Sequence, residues 1–296
     1  MKLAAIDVGS NAVRLLISNV YEIGDWKPLL RKADLYRVPV RLGEDAFVRG
    51  AISSRVADDL VSAMAAFDHL MKACHVEDYM ACATSAMRCA DNGDMLAQRI
   101  LEETGVDLQI IGGAKEAEYI AMNRLDARFL SGNYLYIDVG GGSTELSLYL
   151  DGALKASKSF KMGTIRLKES LVGPRNWAEV ERWVTKNCQG VKKLKAIGSG
   201  GNVNKIFKLT GQAQETPLCL KKFQKHHALM AALSMEERMI KLGMRPDRAD
   251  VIVPAGAIFI SVMKWARIKK IIVPQIGLAD GLIHLLYRKH KDKRAG

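Results

Sequence analysis

Ile137-Asp138-Val139-Gly140-Gly141-Gly142-Ser143-Thr144-Glu145 is the stretch whose reading decides the fold. The β-prone Tyr134-Leu135-Tyr136 leads into it, and the alternating Leu146-Ser147-Leu148-Tyr149-Leu150 leaves it, so the pattern is strand, glycine turn, strand. Glycines let an anion approach bare amide groups, and Ser143 and Thr144 add hydroxyl donors at the same turn. Asp138 and Glu145 sit at its two ends. Acids beside an anion cradle make physical sense when a hard divalent cation bridges them to phosphate oxygens. Taken alone, the segment reads equally well as an ordinary hairpin with a glycine-rich turn.

Working outward, Ile-Asp-Val-Gly also occurs at 6–9, 131 residues upstream. There Lys2 to Ile6 reads as a strand, Asp7 to Asn11 as its turn and Val13 to Val20 as the returning strand. Self-similarity at half the chain length predicts duplicated domains, 1–125 and 126–296, with the last helix able to pack back on the first. Two such turns facing each other would grip a phosphate chain from both sides.

Strands alternate with helices elsewhere, so the fold class is α/β. Val56, Leu60, Met64, Phe67, Met71 and Cys74 recur at spacings of three and four, one face of a helix N-capped at Ser53 or Ser54. Leu29 to Val40 is β-rich and ends at Arg41-Leu42-Gly43-Glu44, and Tyr79 to Ala83 is a strand followed by a turn at Thr84 to Arg88. A helix from about Asp94 stops at Gly105, Val106 to Ile111 is a strand, and a helix runs from Ala114 to about Phe129. Asp151-Gly152 turns the chain into a third antiparallel strand, and Leu194 to Ile197 enters a third glycine turn, Gly198-Ser199-Gly200-Gly201, that opens a helix. Ser234 with Glu237 forms a capping box, and the later helices span about 248–266 and 280–287.

Composition narrows the class of partner. Hydrophobic residues at 49% and charged residues at 26% describe a globular chain able to bury a core. No apolar run reaches membrane-spanning length and no leader pattern opens the chain, which points to the cytoplasm and away from membranes. The net charge is +12, and Arg288 to Arg294 accounts for only +4 of it. A basic body favours an anionic partner. With 6% aromatic residues and no basic–aromatic interleaving, no dedicated nucleic-acid module is expected. The five cysteines form no CxxC pair and read as reduced thiols, and the histidines give no zinc motif. None of the glycine turns has the Walker or dinucleotide spacing.

The segments 6–11 with Arg14, 41–44, 83–88, 113–117, 137–145, 163–167, 198–201, 248–250 and 277–282 together resemble the exopolyphosphatase/guanosine pentaphosphate phosphohydrolase (Ppx/GppA) family of the actin–hexokinase–Hsp70 superfamily. The resemblance runs from residue 6 to 282. It implies two ribonuclease H-like domains around a cleft and Mg²⁺-dependent removal of the terminal phosphate of polyphosphate, or of the 5′ phosphate of guanosine pentaphosphate. It also implies a homodimer. Carried over by position, the catalytic carboxylate falls on Glu116, and Asp138 and Glu145 fall on positions associated with metal and phosphate; Asp7, in the matching turn, is a further candidate metal ligand. Phosphate binding falls on Gly9, Ser10, Asn11, Arg14, Thr84, Ser85, Arg88, Gly140 to Thr144 and Gly198 to Gly201. Glu118 lies about 200° around the helix from Glu116, so the two acids cannot serve one ligand. Two departures stand out: Ala279-Asp280 replaces a common Arg-Glu pair, and longer members append a helical domain after the point where this sequence stops, so weaker processivity is expected. The rival readings are an ATP-dependent small-molecule kinase of the same superfamily and a catalytically weak polyphosphate or alarmone sensor.

Overall fold

The computed structural model describes residues 1–24, 28–125, 131–214 and 216–295. The repeated Ile-Asp-Val-Gly marks two copies of one hairpin, each at the centre of its own sheet and compact unit. The first unit comprises 1–123 with 277–296, and the second 124–276.

In the first unit the chain forms β1 (Lys2–Val8), β2 (Val13–Tyr21), β3 (Leu29–Val38), α1 (Leu42–Val48), α2 (Ser54–Ala73) and β4 (Asp78–Ala83). Then come α3 (Ser85–Cys89), α4 (Gly93–Thr104), β5 (Leu108–Ile110) and α5 (Gly113–Ala121). The sheet order is β3-β2-β1-β4-β5, antiparallel across β1–β3 and parallel from β1 to β5. In the second unit β6 (Tyr134–Val139), β7 (Thr144–Leu150), β8 (Ala153–Phe160), α6 (Thr164–Lys168), α7 (Pro174–Cys188), β9 (Lys195–Ser199) and α8 (Gly201–Leu209) follow. They are succeeded by β10 (Leu218–Cys219), α9 (Leu220–Ala232), α10 (Met235–Leu242), α11 (Pro246–Ala249), α12 (Ile252–Trp265) and β11 (Lys270–Ile272). Its sheet order is β10-β11-β9-β6-β7-β8. β6, β7, β8, β9 and β11 thus take the places of β1 to β5, and each unit has the ribonuclease H-like α/β arrangement.

The final helix, α13 (Leu278–Ala295), packs on β1, β2, β4 and α5. The five-stranded sheet is therefore covered on both faces. Ile6, Val8, Leu15 and Ile17 meet the α2–α4 side, and Leu3, Ala5, Leu16 and Cys82 meet the α5–α13 side. This explains why β1 reads as a continuous apolar run. A Cβ on Gly281 of α13 would run into the carbonyl of Tyr119, whose carbon is 2.7 Å away, so only glycine lets α13 approach α5. Gly281→Ala is expected to cost about 2 kcal/mol by overpacking, read as a lower melting temperature.

The structure departs from the sequence reading in several places. Thr84 to Arg88 is not a plain turn but the start of α3, and Arg41 to Glu44 opens α1. Ser53 occupies the N-cap of α2 without capping it, because its hydroxyl donates to Asp45. α9 carries no strong periodic signal, and α13 continues through the basic tail. The expected helix from Ala114 gives way at Met122 to a 3₁₀ turn, and its expected end near Phe129 lies outside the described residues. By contrast, Gly105 ends α4 at φ 73°, and Ser234 and Glu237 close their capping box around α10. All five cysteines are free thiols. Among the described residues no helix is long and apolar enough to cross a membrane.

Candidate functional site

Parallel strands deliver their following turns to one edge of a sheet, which is where α/β folds place ligands. In the first unit the Thr84 amide donates to the Val8 carbonyl (3.1 Å) and the Ile111 amide to that of Ala83 (2.9 Å). These bonds line up the turn at 9–12, the start of α3 and the start of α5. The Gly43 amide donates to the Ser10 carbonyl (2.7 Å), which ties the entrance of α1 to the first turn. Arg41 adopts a left-handed conformation (φ 60°) there and pairs with Glu44.

Glu116 lies in the first turn of α5, 8% exposed, while Glu118 faces solvent. Arg88 donates to the Ile111 carbonyl (2.6 Å), and its Nη1 stands 3.8 Å from Glu116 Oε2. That separation is too long for a hydrogen bond but within ion-pair distance. Asp7 and Arg14 are cross-strand neighbours joined at 2.6 Å. Burial, then the Asp7 carboxylate and more weakly that of Glu116, pushes the Cys82 thiol up to about 12, while Lys115 opposes the shift. Cys82 thus feels both acids across a low-dielectric wall.

In the second unit, Asp138 and Glu145 occupy the positions of Asp7 and Arg14, directly opposite each other on β6 and β7. The two hairpins match closely. The Gly9 amide donates to the Ala12 carbonyl (3.2 Å), and the Gly140 amide to that of Ser143 (2.9 Å). Those two amides are therefore engaged within their own turns. The amides of Gly141, Gly142 and Ser143 donate to no described acceptor. The turn is held from behind by α6: the amides of Thr164 and Ile165 donate to the carbonyls of Gly140 (3.0 Å) and Gly141 (2.8 Å), and Arg166 Nε donates to that of Gly142 (2.9 Å). The Thr144 hydroxyl donates inward to the Met162 carbonyl (2.5 Å), so it braces the turn. The third glycine turn reaches the same edge. A Cβ on Gly200, at φ +99°, would lie 3.1 Å from Asp138 Oδ1, and the amides of Gly201 to Val203 open at the N-terminus of α8.

The charge inversion between the hairpins bears on a metal. Like charges directly opposite on a strand pair repel. The first hairpin puts a salt bridge there, and the second puts two carboxylates. The Ser159 hydroxyl donates to Glu145 Oε1 (2.7 Å) and orients it. Among the described residues no cluster of three or more metal-ligating side chains exists, so no closed protein cage is present. Mg²⁺ needs none, since it is commonly held by one or two carboxylates, waters and substrate phosphates. The acid pair fits that ion. Asp7, engaged by Arg14, fits it less well.

The sequence reading missed Ser159 and the bracing role of Gly163 and Arg166. Ser159 could have been found from the alternation of β8, since it is the cross-strand partner of Glu145. Gly163 gave no such signal, because its neighbours come from a turn some twenty residues away.

Comparison with known proteins agrees with this architecture. The model of the Ppx/GppA phosphatase family matches residues 35–290. Exopolyphosphatase 1 of Mycobacterium leprae is 27% identical over 305 residues, covering 96% of this chain and 88% of its own. The crystal structure of an exopolyphosphatase from Cytophaga hutchinsonii superposes with a TM-score of 0.84 at 22% identity, covering 98% of both chains. The Aquifex aeolicus member of the Ppx/GppA family gives 0.77 at 23% identity, also over 98% of both. At these identities the superpositions speak for the fold, and the family model, matching most of the chain, speaks for kinship: the chain belongs to the Ppx/GppA phosphatase family.

Proposed function

We propose that this protein is an exopolyphosphatase that releases the terminal phosphate of inorganic polyphosphate, with the 5′ phosphate of guanosine pentaphosphate as a second substrate. The observation that carries the reading is Glu116, a carboxylate buried at the head of α5 with Arg88 beside it. Phosphoryl transfer to water needs positioning, charge neutralisation and a placed nucleophile. Glu116 orients a water and accepts its proton as the oxygen bonds to the terminal phosphorus. The phosphoanhydride bond breaks, and the shortened chain leaves with the bridging oxygen. In the first unit Arg88 lends positive charge beside Glu116, and in the second the open amides of 141–143 and 201–203 are donors for phosphate oxygens. Asp138 and Glu145 would hold Mg²⁺, which when bound would supply charge neutralisation for phosphate oxygens.

The test is phosphate release from polyphosphate, guanosine pentaphosphate and ATP, each with Mg²⁺ and with excess chelator. Release from polyphosphate that disappears with chelator is expected. Release from ATP alone would favour a nucleotide enzyme, and binding without release from any substrate would favour a sensor.

A further inference from the structure

The second unit carries a cavity of about 780 Å³ at the edge of its sheet opposite the glycine turns. It is lined by the segments that precede the parallel strands: 132–134 before β6, 188–195 before β9 and 265–270 before β11. β6 separates this edge from Asp138 and the 140–143 turn, and six residues of strand span about 20 Å. The cavity is therefore distinct from the candidate catalytic edge.

Its lining is strongly basic. Lys192, Lys193, Lys195, Arg267, Lys269 and Lys270 all contribute, against the single acid Asp151. All six are exposed, and among the described residues none is ion-paired with a carboxylate. Two of them, Lys193 (φ 54°) and Arg267 (φ 55°), sit in left-handed turns that non-glycine residues rarely adopt.

The fold does not ask for this charge. In the first unit the loops at the same topological places precede β4 and β5, and there the sequence offers Glu77, Asp78 and Asp107. At these two places the duplicated scaffold thus carries three acids in one unit and six cations in the other, while at the start of β1 the N-terminal ammonium pairs with Glu77 and Lys2 Nζ donates to the Cys74 carbonyl. Like charges brought together raise the energy of the folded chain unless an anion is present to neutralise them. The volume lies within the range of small-ligand pockets. Six cations are more than one phosphate needs, and they match a short run of condensed phosphates.

We propose that this cavity is a second, non-catalytic site that binds a segment of inorganic polyphosphate and tethers a long chain while its end is degraded elsewhere. The proposal rests on the polyphosphate reading of the catalytic edge, and it explains part of the positive charge that remains outside the C-terminal tail.

The test combines two readouts on Lys193→Glu/Lys195→Glu/Lys269→Glu and on the milder triple Lys→Gln variant, with wild type as reference. In hydrolysis, KM for polyphosphate of several hundred units is expected to rise about tenfold in the Glu variant, with kcat and tripolyphosphate turnover within about twofold. In equilibrium binding, chains of about fifteen phosphates are expected to bind the Glu variant more weakly, with the slope of log K against log salt shallower by about 2 for three cations lost. The Gln variant is expected to fall between the two. Unchanged binding and KM in both variants overturns the tether. Equal or tighter binding of a 15-mer RNA overturns it in favour of a nucleic-acid surface. A protein that hydrolyses none of these substrates, yet loses polyphosphate binding in the variants, removes the catalytic reading and leaves this site standing.

Discussion

Glu116→Gln is expected to lower kcat for phosphate release from polyphosphate by about 10²–10⁴, the usual contribution of a positioned general base. In barrier terms this is about 3–5 kcal/mol. The amide keeps the shape of the side chain but cannot accept the proton of the attacking water. Arg88 retains its bond to the Ile111 carbonyl in the variant, so the local frame has a support independent of the lost charge. The melting temperature is expected to move by only a few degrees, and KM to change little, because the proton is taken in the transition state and not on binding. Glu118→Gln, two residues on and exposed, serves as the control and should behave as wild type. Wild-type kcat in Glu116→Gln would remove this residue from the mechanism. A large loss of stability with proportionate loss of activity would make its role structural.

The second large effect is expected from Gly163→Ala. An added Cβ would sit 2.5 Å from the Gly141 carbonyl carbon and 2.6 Å from that of Gly142, with the Gly141 oxygen closer still. These are backbone atoms with no flexible end to swing aside. The turn cannot retreat as a unit either, because the amides of Thr164 and Ile165, next in chain, tie it to α6. The methyl therefore displaces the glycine turn that presents the 141–143 amides. A stability loss of about 3 kcal/mol is expected, at the upper end for overpacking, with activity down by about 10²-fold even at temperatures where the variant stays folded. Gly173→Ala tests whether the effect is local. Gly173 is also an extended N-cap glycine, but its Cβ would meet nothing within 4 Å, and little change is expected. Equal behaviour of the two variants would contradict the bracing role of Gly163.

Together these variants separate chemistry from scaffolding. Glu116 acts through a proton, and Gly163 through the space it leaves empty. A Mg²⁺ titration of wild type and Asp138→Asn adds the third contribution: the apparent Mg²⁺ affinity is expected to fall about tenfold or more in the variant, because one of two opposed carboxylates is gone.

By itself, the sequence determined the duplication, the two hairpins and the class of residues at their turns. Glycine turns, β-alternation and the Ile-Asp-Val-Gly echo are local signals, because backbone freedom and side-chain period act over a few residues. The same locality hid the rest. That Arg14 neutralises Asp7 while Glu145 opposes Asp138 follows from strand register, and Ser159 reaches Glu145 only because β8 pairs with β7. Gly281 and Gly163 are indispensable for neighbours far away in sequence, Tyr119 and Gly141. The six cations of the second unit read along the chain as two short basic runs. Only the parallel pairing of β6, β9 and β11 brings those runs to one edge around one cavity, because a parallel sheet gathers at each end the loops that the sequence keeps apart.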